Sequence, residues 1–131
     1  MSNKLNLKKL SFLIYGLGST GNSVIQFFKK KNISNFFIWD DKKISLKNTR
    51  YKCLNFPRLI KEVDYIVLSP GVSLKKAKFK KDLKKYENKI ISDIDLLYLT
   101  NPNLKSIVVT GSNGKSTTCQ LLYEILLQQK Y

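Results

Sequence analysis

The chain has 131 residues, 24 of them basic and 9 acidic, for a formal net charge of +15 with no histidine. That length allows one small domain but not two complete ones. The lack of histidine and the distance between Cys53 and Cys119 exclude the usual zinc spacings, and no apolar run reaches the roughly 20 residues that cross a bilayer.

The positive charge is almost all lysine, with Arg50 and Arg58 the only arginines. It is spread along the chain, Lys29–Lys31 and Lys75–Lys85 being only the densest stretches. Without arginine, the bidentate reader of bases, the pattern reads as a solvated surface rather than a nucleic-acid face. Two isolated thiols fit a reducing cytosol.

Leu10–Tyr15 is the nearly continuous apolar run expected of a buried parallel strand. With the lysines before it, Met1–Gly18 superficially looks like a signal peptide. The apolar part is too short, however, and leads straight into a glycine motif, so a strand is expected. That motif is Gly16-Leu17-Gly18-Ser19-Thr20-Gly21, a full G-x-G-x-x-G. A helix pattern follows, with Val24, Ile25, Phe27 and Phe28 on one face and Asn32 as its end. Phe36–Trp39 predicts the second strand, ending at Asp40-Asp41. The acidic pair falls about twenty residues past the last glycine, where a dinucleotide fold places its ribose contact. Strand, glycine turn, helix, strand and acid in this order predict a Rossmann-like β-α-β unit and a bound nucleotide.

Residues 42–58 are polar and read as irregular, with Leu54, Phe56 and Leu59 covering an edge of the core. Tyr65–Leu68 predicts a third buried strand, stopped by Ser69-Pro70-Gly71. Ligands of open parallel sheets bind at that end of the strands, and Gly71 lets a ligand or loop approach the backbone. Ala77–Glu87 predicts a lysine-rich surface helix with Phe79, Leu83 and Tyr86 inward. Ile90-Ile91 is a short fourth strand. Ser92 or Asp93 caps a helix through Leu99, ended by Thr100–Asn103. The alternation predicts an α/β fold, a parallel sheet with helices on both faces.

The last stretch carries a second phosphate signal. Ile107-Val108-Val109 reads as a buried strand running into Gly111-Ser112-Asn113-Gly114-Lys115-Ser116 and then a helix, the layout of a P-loop. The glycines permit a tight turn whose N–H groups face a phosphate, Lys115 reaches the outer phosphates, and the Ser116 hydroxyl suits Mg²⁺. Val109 stands where the general pattern has its first glycine. One strand and one helix do not make a nucleotide-binding domain, and Leu121, Leu122, Ile125, Leu126 and Leu127 have little to pack on. The chain therefore reads as an N-terminal fragment of a longer protein: a Rossmann-like domain over 1–92, then the start of a P-loop domain over 93–131, its last helix docking loosely or fraying.

Two phosphate-type loops in this order resemble the Mur ligase family of peptidoglycan synthesis, and within it the branch that adds D-glutamate. The resemblance rests on Gly16–Gly21, Asp40, Ser69-Pro70-Gly71, Asp93-Ile94-Asp95-Leu96 and Thr110–Thr117, in family order over nearly the whole chain. The P-loop without its first glycine is the family's own form. The resemblance implies an ATP-dependent amide ligase: the carboxylate of UDP-N-acetylmuramoyl-L-alanine takes the γ-phosphoryl group of ATP, and D-glutamate displaces phosphate from the acyl phosphate. It implies Lys115 as the catalytic residue and Gly111, Ser112, Asn113, Gly114, Lys115, Ser116, Thr117 and Thr118 as the ATP cradle. Ser116 is the implied Mg²⁺ ligand. Ser19 and Thr20 would lie against the uridine diphosphate, Asp40, Asp41 and Lys42 would face the uracil, and Gly71 would line its pocket. A hydroxyl residue and an arginine are more usual at positions 41 and 42. A cytoplasmic monomer, without nucleic-acid or membrane partners and inactive as this chain alone, is expected. The competing expectations are a nicotinamide- or flavin-binding module, a sister Mur ligase, and a non-catalytic UDP-sugar-binding protein.

Overall fold

A computed structural model describes residues 6–42 and 50–129. Four strands form one parallel sheet: β1 (Phe12–Tyr15), β2 (Phe36–Trp39), β3 (Tyr65–Leu68) and β4 (Ile90–Ile91), in the order β2-β1-β3-β4. β1 is central and all four of its residues are buried, as its unbroken apolar run requires. It pairs in register with both neighbours, Phe12 opposite Phe36 and Tyr65, and Tyr15 opposite Trp39 and Leu68.

The strand pleat sorts the core into two layers. On one face Phe12, Ile14, Phe36, Ile38 and Val67 meet Val24, Ile25 and Phe28 of α1 (Ser19–Lys30) and Leu96 of α4 (Asp93–Thr100). On the other, Leu13, Tyr15 and Ile66 meet Phe56 and Ile60 of α2 (Phe56–Glu62) and Leu83 of α3 (Lys80–Lys85). Helices thus cover both faces, the doubly wound arrangement expected from the alternation.

Local chemistry sets the element ends. α1 stops at Asn32, the one described non-glycine residue at positive φ (54°). Asn32 N–H donates to the Lys29 carbonyl and Ile33 N–H to that of Phe28, the paired bonds of a Schellman end. α4 starts in a capping box: the Ser92 side chain accepts from Asp95 N–H while Asp95 accepts from Ser92 N–H.

The structure departs from the sequence reading in several places. The stretch 42–58 is not irregular throughout: its end enters α2, capped by Asn55, while residues 43–49 of that stretch lie outside the described ones. Phe56 is buried and Leu59 packs beside it, but Leu54 is 91% exposed and covers nothing. α3 is shorter than Ala77–Glu87 at both ends: it starts only after Phe79, its N-cap, and a separate 3₁₀ turn over Glu87–Lys89 carries the chain into β4. α4, expected to open the second unit, buries Leu96 against the first sheet. The largest departure is at Ile107–Val109. These residues form no strand, and Ile107 and Val108 are 62% and 82% exposed. A β-branched run becomes a strand only beside a partner whose ladder satisfies its backbone, and none of the described strands lies next to it. The helix after it does form, as α5 (Lys115–Gln128), with no buried residue.

Candidate functional site

The carboxyl ends of β1 and β3 part company at the centre of the sheet, where α1 leaves for one face and the chain after β3 for the other. An open cleft of about 490 Å³ lies there. It is lined by Ser19, Thr20, Asp40, Asp41, Lys42 and Gly71, all six positions expected to meet a nucleotide sugar, drawn from three separate stretches of sequence. Tyr15, Gly18, Ser69, Val72, Ser73, Lys76 and Ala77 complete the lining.

The glycine turn is held from both sides. Gly16 has φ +97°, and a Cβ on it would stand 2.6 Å from the Val72 side chain. A Cβ on Gly21 would stand 1.9 Å from the Gly16 carbonyl oxygen, so only glycine lets α1 start this close to the turn. The buried Ser69 hydroxyl donates to the Gly16 carbonyl at 2.7 Å, tying the end of β3 to the turn. α1 begins at the N-cap Gly18 with no side-chain cap, which leaves first-turn N–H groups and the positive helix end directed at the cleft.

The two acidic residues do different work. Asp40 accepts from Leu17 N–H at 2.6 Å and from Lys42 N–H at 2.8 Å, one bond on each oxygen, so its carboxylate braces the glycine turn against the end of β2. Asp41 joins three segments. Its Oδ1 accepts from the Tyr15 hydroxyl at 2.6 Å and from Trp39 Nε1 at 3.0 Å, and its Oδ2 from Lys78 N–H at 2.9 Å. Burial pushes the Asp41 carboxyl upward, but the bonds from Tyr15, Lys78 and Trp39 outweigh it and hold the group below its ordinary value. Burial, followed by the Asp41 bond and charge, pushes the Tyr15 hydroxyl well above its ordinary value. The acid at position 41 is therefore matched to a tyrosine, an indole and a backbone amide, all donors.

Ser69 and Tyr15 are the site residues that the sequence did not reveal. Ser69 reads there as part of a turn and Tyr15 as part of a strand. A hydroxyl at the end of an otherwise apolar buried run is the available signal, since it must find a partner. Lys76 is hidden there among the other lysines of its stretch.

Residues Gly111–Thr118, the stretch expected to cradle ATP, do not line this cleft. Their segment is exposed, with Gly111 at φ +144° and Gly114 at φ +75°, the latter serving as N-cap of α5 without a side-chain cap. The Lys115 ammonium folds back to donate to the carbonyls of Gly111 and Ser112. Two left-handed glycines, an uncapped helix start and a lysine over the turn form a donor set suited to a polyphosphate.

The family model of the Mur ligase MurD-like N-terminal domain matches residues 10–92, which span the whole sheet and the cleft. A UDP-N-acetylmuramoylalanine--D-glutamate ligase of Francisella philomiragia is 38% identical over 127 residues, covering 95% of this chain and 28% of that protein. Ligases of the same name are 40% identical in Wolbachia sp. subsp. Brugia malayi and 39% in Rickettsia prowazekii, each over 91% of this chain and 26% and 27% of the relative. The chain thus spans about a quarter of the length of the curated relatives it matches.

Proposed function

The chain belongs to the Mur ligase family, with a MurD-like N-terminal domain, and from that premise we propose that it is the N-terminal part of the ATP-dependent ligase that joins D-glutamate to UDP-N-acetylmuramoyl-L-alanine in peptidoglycan synthesis. The observation that carries the reading is the meeting of Ser19, Thr20, Asp40, Asp41, Lys42 and Gly71 in one cleft at the carboxyl edge of the sheet. In this reading the first-turn N–H groups of α1 take the diphosphate, and the Asp40–Lys42 end and Gly71 take the base. The second phosphate-type loop, Gly111–Thr118, favours this over a nicotinamide- or flavin-binding module, which has no use for it.

ATP belongs to the second loop. The amides over Gly111–Thr118 cradle its phosphates, and Lys115 exchanges its loop carbonyls for phosphoryl oxygens, stabilising charge by electrostatic preorganisation. The Ser116 hydroxyl would hold Mg²⁺, which would supply positive charge against the phosphate oxygens. The substrate carboxylate attacks the γ-phosphorus of ATP and ADP leaves; the amine of D-glutamate then attacks the acyl phosphate, giving up a proton and displacing phosphate. The division of labour runs at about Ser92, with α4 packed on the first unit as a strut between the two. The protein works as a monomer in the cytoplasm, on neither nucleic acid nor membrane. Among the described residues no helix is long and apolar enough to cross a bilayer.

Calorimetric titration of the chain with UDP-N-acetylmuramoyl-L-alanine and, separately, NADH tests the reading. Heat from the sugar nucleotide alone, weakened by Thr20→Val, supports it. Binding of NADH without the sugar nucleotide replaces it with an oxidoreductase or sensor module. The chain by itself is expected to show no ligase turnover above a Lys115→Ala control, and product formation above that control refutes this part.

A further inference from the structure

Lys75, Lys76 and Lys78 lie almost consecutively after β3, yet the structure separates them. Lys75 lines a neighbouring cavity floored by Leu83 and Ile90. The Lys78 ammonium lies 5.7 Å from the centroid of the Trp39 ring and 5.8 Å from that of Phe79. Lys76 alone of the three lines the central cleft.

The backbone carrying Lys76 is fixed on both sides. Lys76 N–H and Ala77 N–H both donate to the Ser73 carbonyl, at 3.0 and 2.9 Å, and Ala77 is buried. The next residue is clasped to the sheet by the bond from Lys78 N–H to Asp41. Lys76 thus projects from a pre-organised turn, which lowers the ordering cost of a contact made by its ammonium.

Charge gives this placement its meaning. Among the described residues, the lining of the cleft holds two carboxylates, Asp40 and Asp41, and two cationic side chains, Lys42 and Lys76. A diphosphate seated on the start of α1 shares the cleft with both acids, and a cation in the same lining offsets their repulsion.

We propose that Lys76 is a binding residue of this cleft, bringing positive charge to the diphosphate of a sugar nucleotide, and that Asp41 is the positioning residue that clasps its turn in place. The proposal rests on the reading of the cleft as a sugar-nucleotide site and adds to it the group that meets the anionic part of the ligand.

Uridine 5′-diphosphate and uridine, titrated separately into the unaltered chain and its variants at two salt concentrations, test it. Lys76→Ala is expected to weaken the diphosphate about tenfold, as loss of one charge-assisted contact does, and to flatten its salt dependence, with uridine unchanged. Lys76→Arg restores binding. Asp41→Asn lowers the ratio of diphosphate to uridine affinity in the same direction and shifts the emission of Trp39, the single tryptophan. If Lys76→Ala binds the diphosphate as the unaltered chain does, or loses both ligands equally, the role of Lys76 is overturned. An unchanged affinity ratio in Asp41→Asn removes Asp41 from the proposal. If the unaltered chain binds neither probe, the sugar-nucleotide reading itself fails, and this proposal with it.

Discussion

The glycines of the turn after β1 divide by what surrounds them. A methyl group on Gly21 would press on a main-chain oxygen 1.9 Å away, which cannot move aside as a side chain can. Gly21→Ala is expected to cost about 3 kcal/mol, read from urea unfolding followed by Trp39 fluorescence. A methyl group on Gly18 would meet nothing within 4 Å, and Gly18 lines the cleft. Gly18→Ala should therefore cost no more than about 1 kcal/mol, the difference between glycine and alanine as the N-cap of α1, while the proposed sugar nucleotide binds less well, since the added methyl fills cleft space. Equal stability losses in both variants would mean that the turn serves packing alone. Charge is used just as locally. Asp64 accepts from Ser11 N–H at 2.7 Å and from the Ser11 hydroxyl at 2.8 Å, and those bonds hold its carboxyl below the ordinary value. A group whose folded pKa is depressed contributes stability above its unfolded pKa, about 3.9, and loses it as pH falls through the folded value. Stability should thus decline below about pH 4, and Asp64→Asn should make the decline shallower by up to about 1 kcal/mol, Asp64 being largely exposed to solvent. Urea midpoints at pH 6 and pH 3 check the sign.

At the scale of elements, side chains from distant segments finish what local propensity starts. α2 has seven residues, too few to stand on helix propensity, and it ends against one lysine. Lys89, just before β4, donates from Nζ to the carbonyls of Lys61 at 2.8 Å, Val63 at 2.7 Å and Ile60 at 3.3 Å, satisfying groups that a helix end leaves open. Lys89→Met keeps most of the stem and removes the donors, so it should cost about 1 kcal/mol, whereas Lys81→Met should be nearly neutral; denaturant unfolding of the two separates them. The same contrast between local and distant partners explains what the sequence disclosed. β1, β2 and β3 were legible because strands buried on a parallel sheet must be continuously apolar, and four such residues suffice to mark each one. α2 was not, because it exists by burying Phe56 and Ile60, one helical turn apart, on a face of the sheet that only the folded chain supplies. Six positions that line the cleft could be picked out by the resemblance, on motif wording. The bonds that hold them, from Ser69 to Gly16 and from Tyr15 to Asp41, span 53 and 26 residues and leave no local pattern.

Across the whole molecule, burial is confined to one part of the chain. Among the described residues, no hydrophobic side chain beyond Leu96 is buried. Ile107, Val108, Leu121, Tyr123, Ile125 and Leu127 are all more than half exposed. The β-branched run and α5 therefore carry a local signal without the tertiary partners that turn such a signal into a core. A helix of 14 residues is marginal in water when nothing packs on it, so α5 should exchange its amide protons freely while β1 and β3 exchange only through global unfolding. Removing residues 103–131 should then leave the unfolding free energy of the sheet, followed through Trp39 in urea, unchanged within about 0.5 kcal/mol, because no described hydrophobic side chain of the deleted part is buried. Hydrogen exchange on the longer and shorter chains gives the same answer residue by residue. A clear drop in midpoint on deletion, or slow exchange within Lys115–Gln128, would mean that α5 docks on the sheet unit and that the two glycine-rich loops are held in one body even in this stretch of chain.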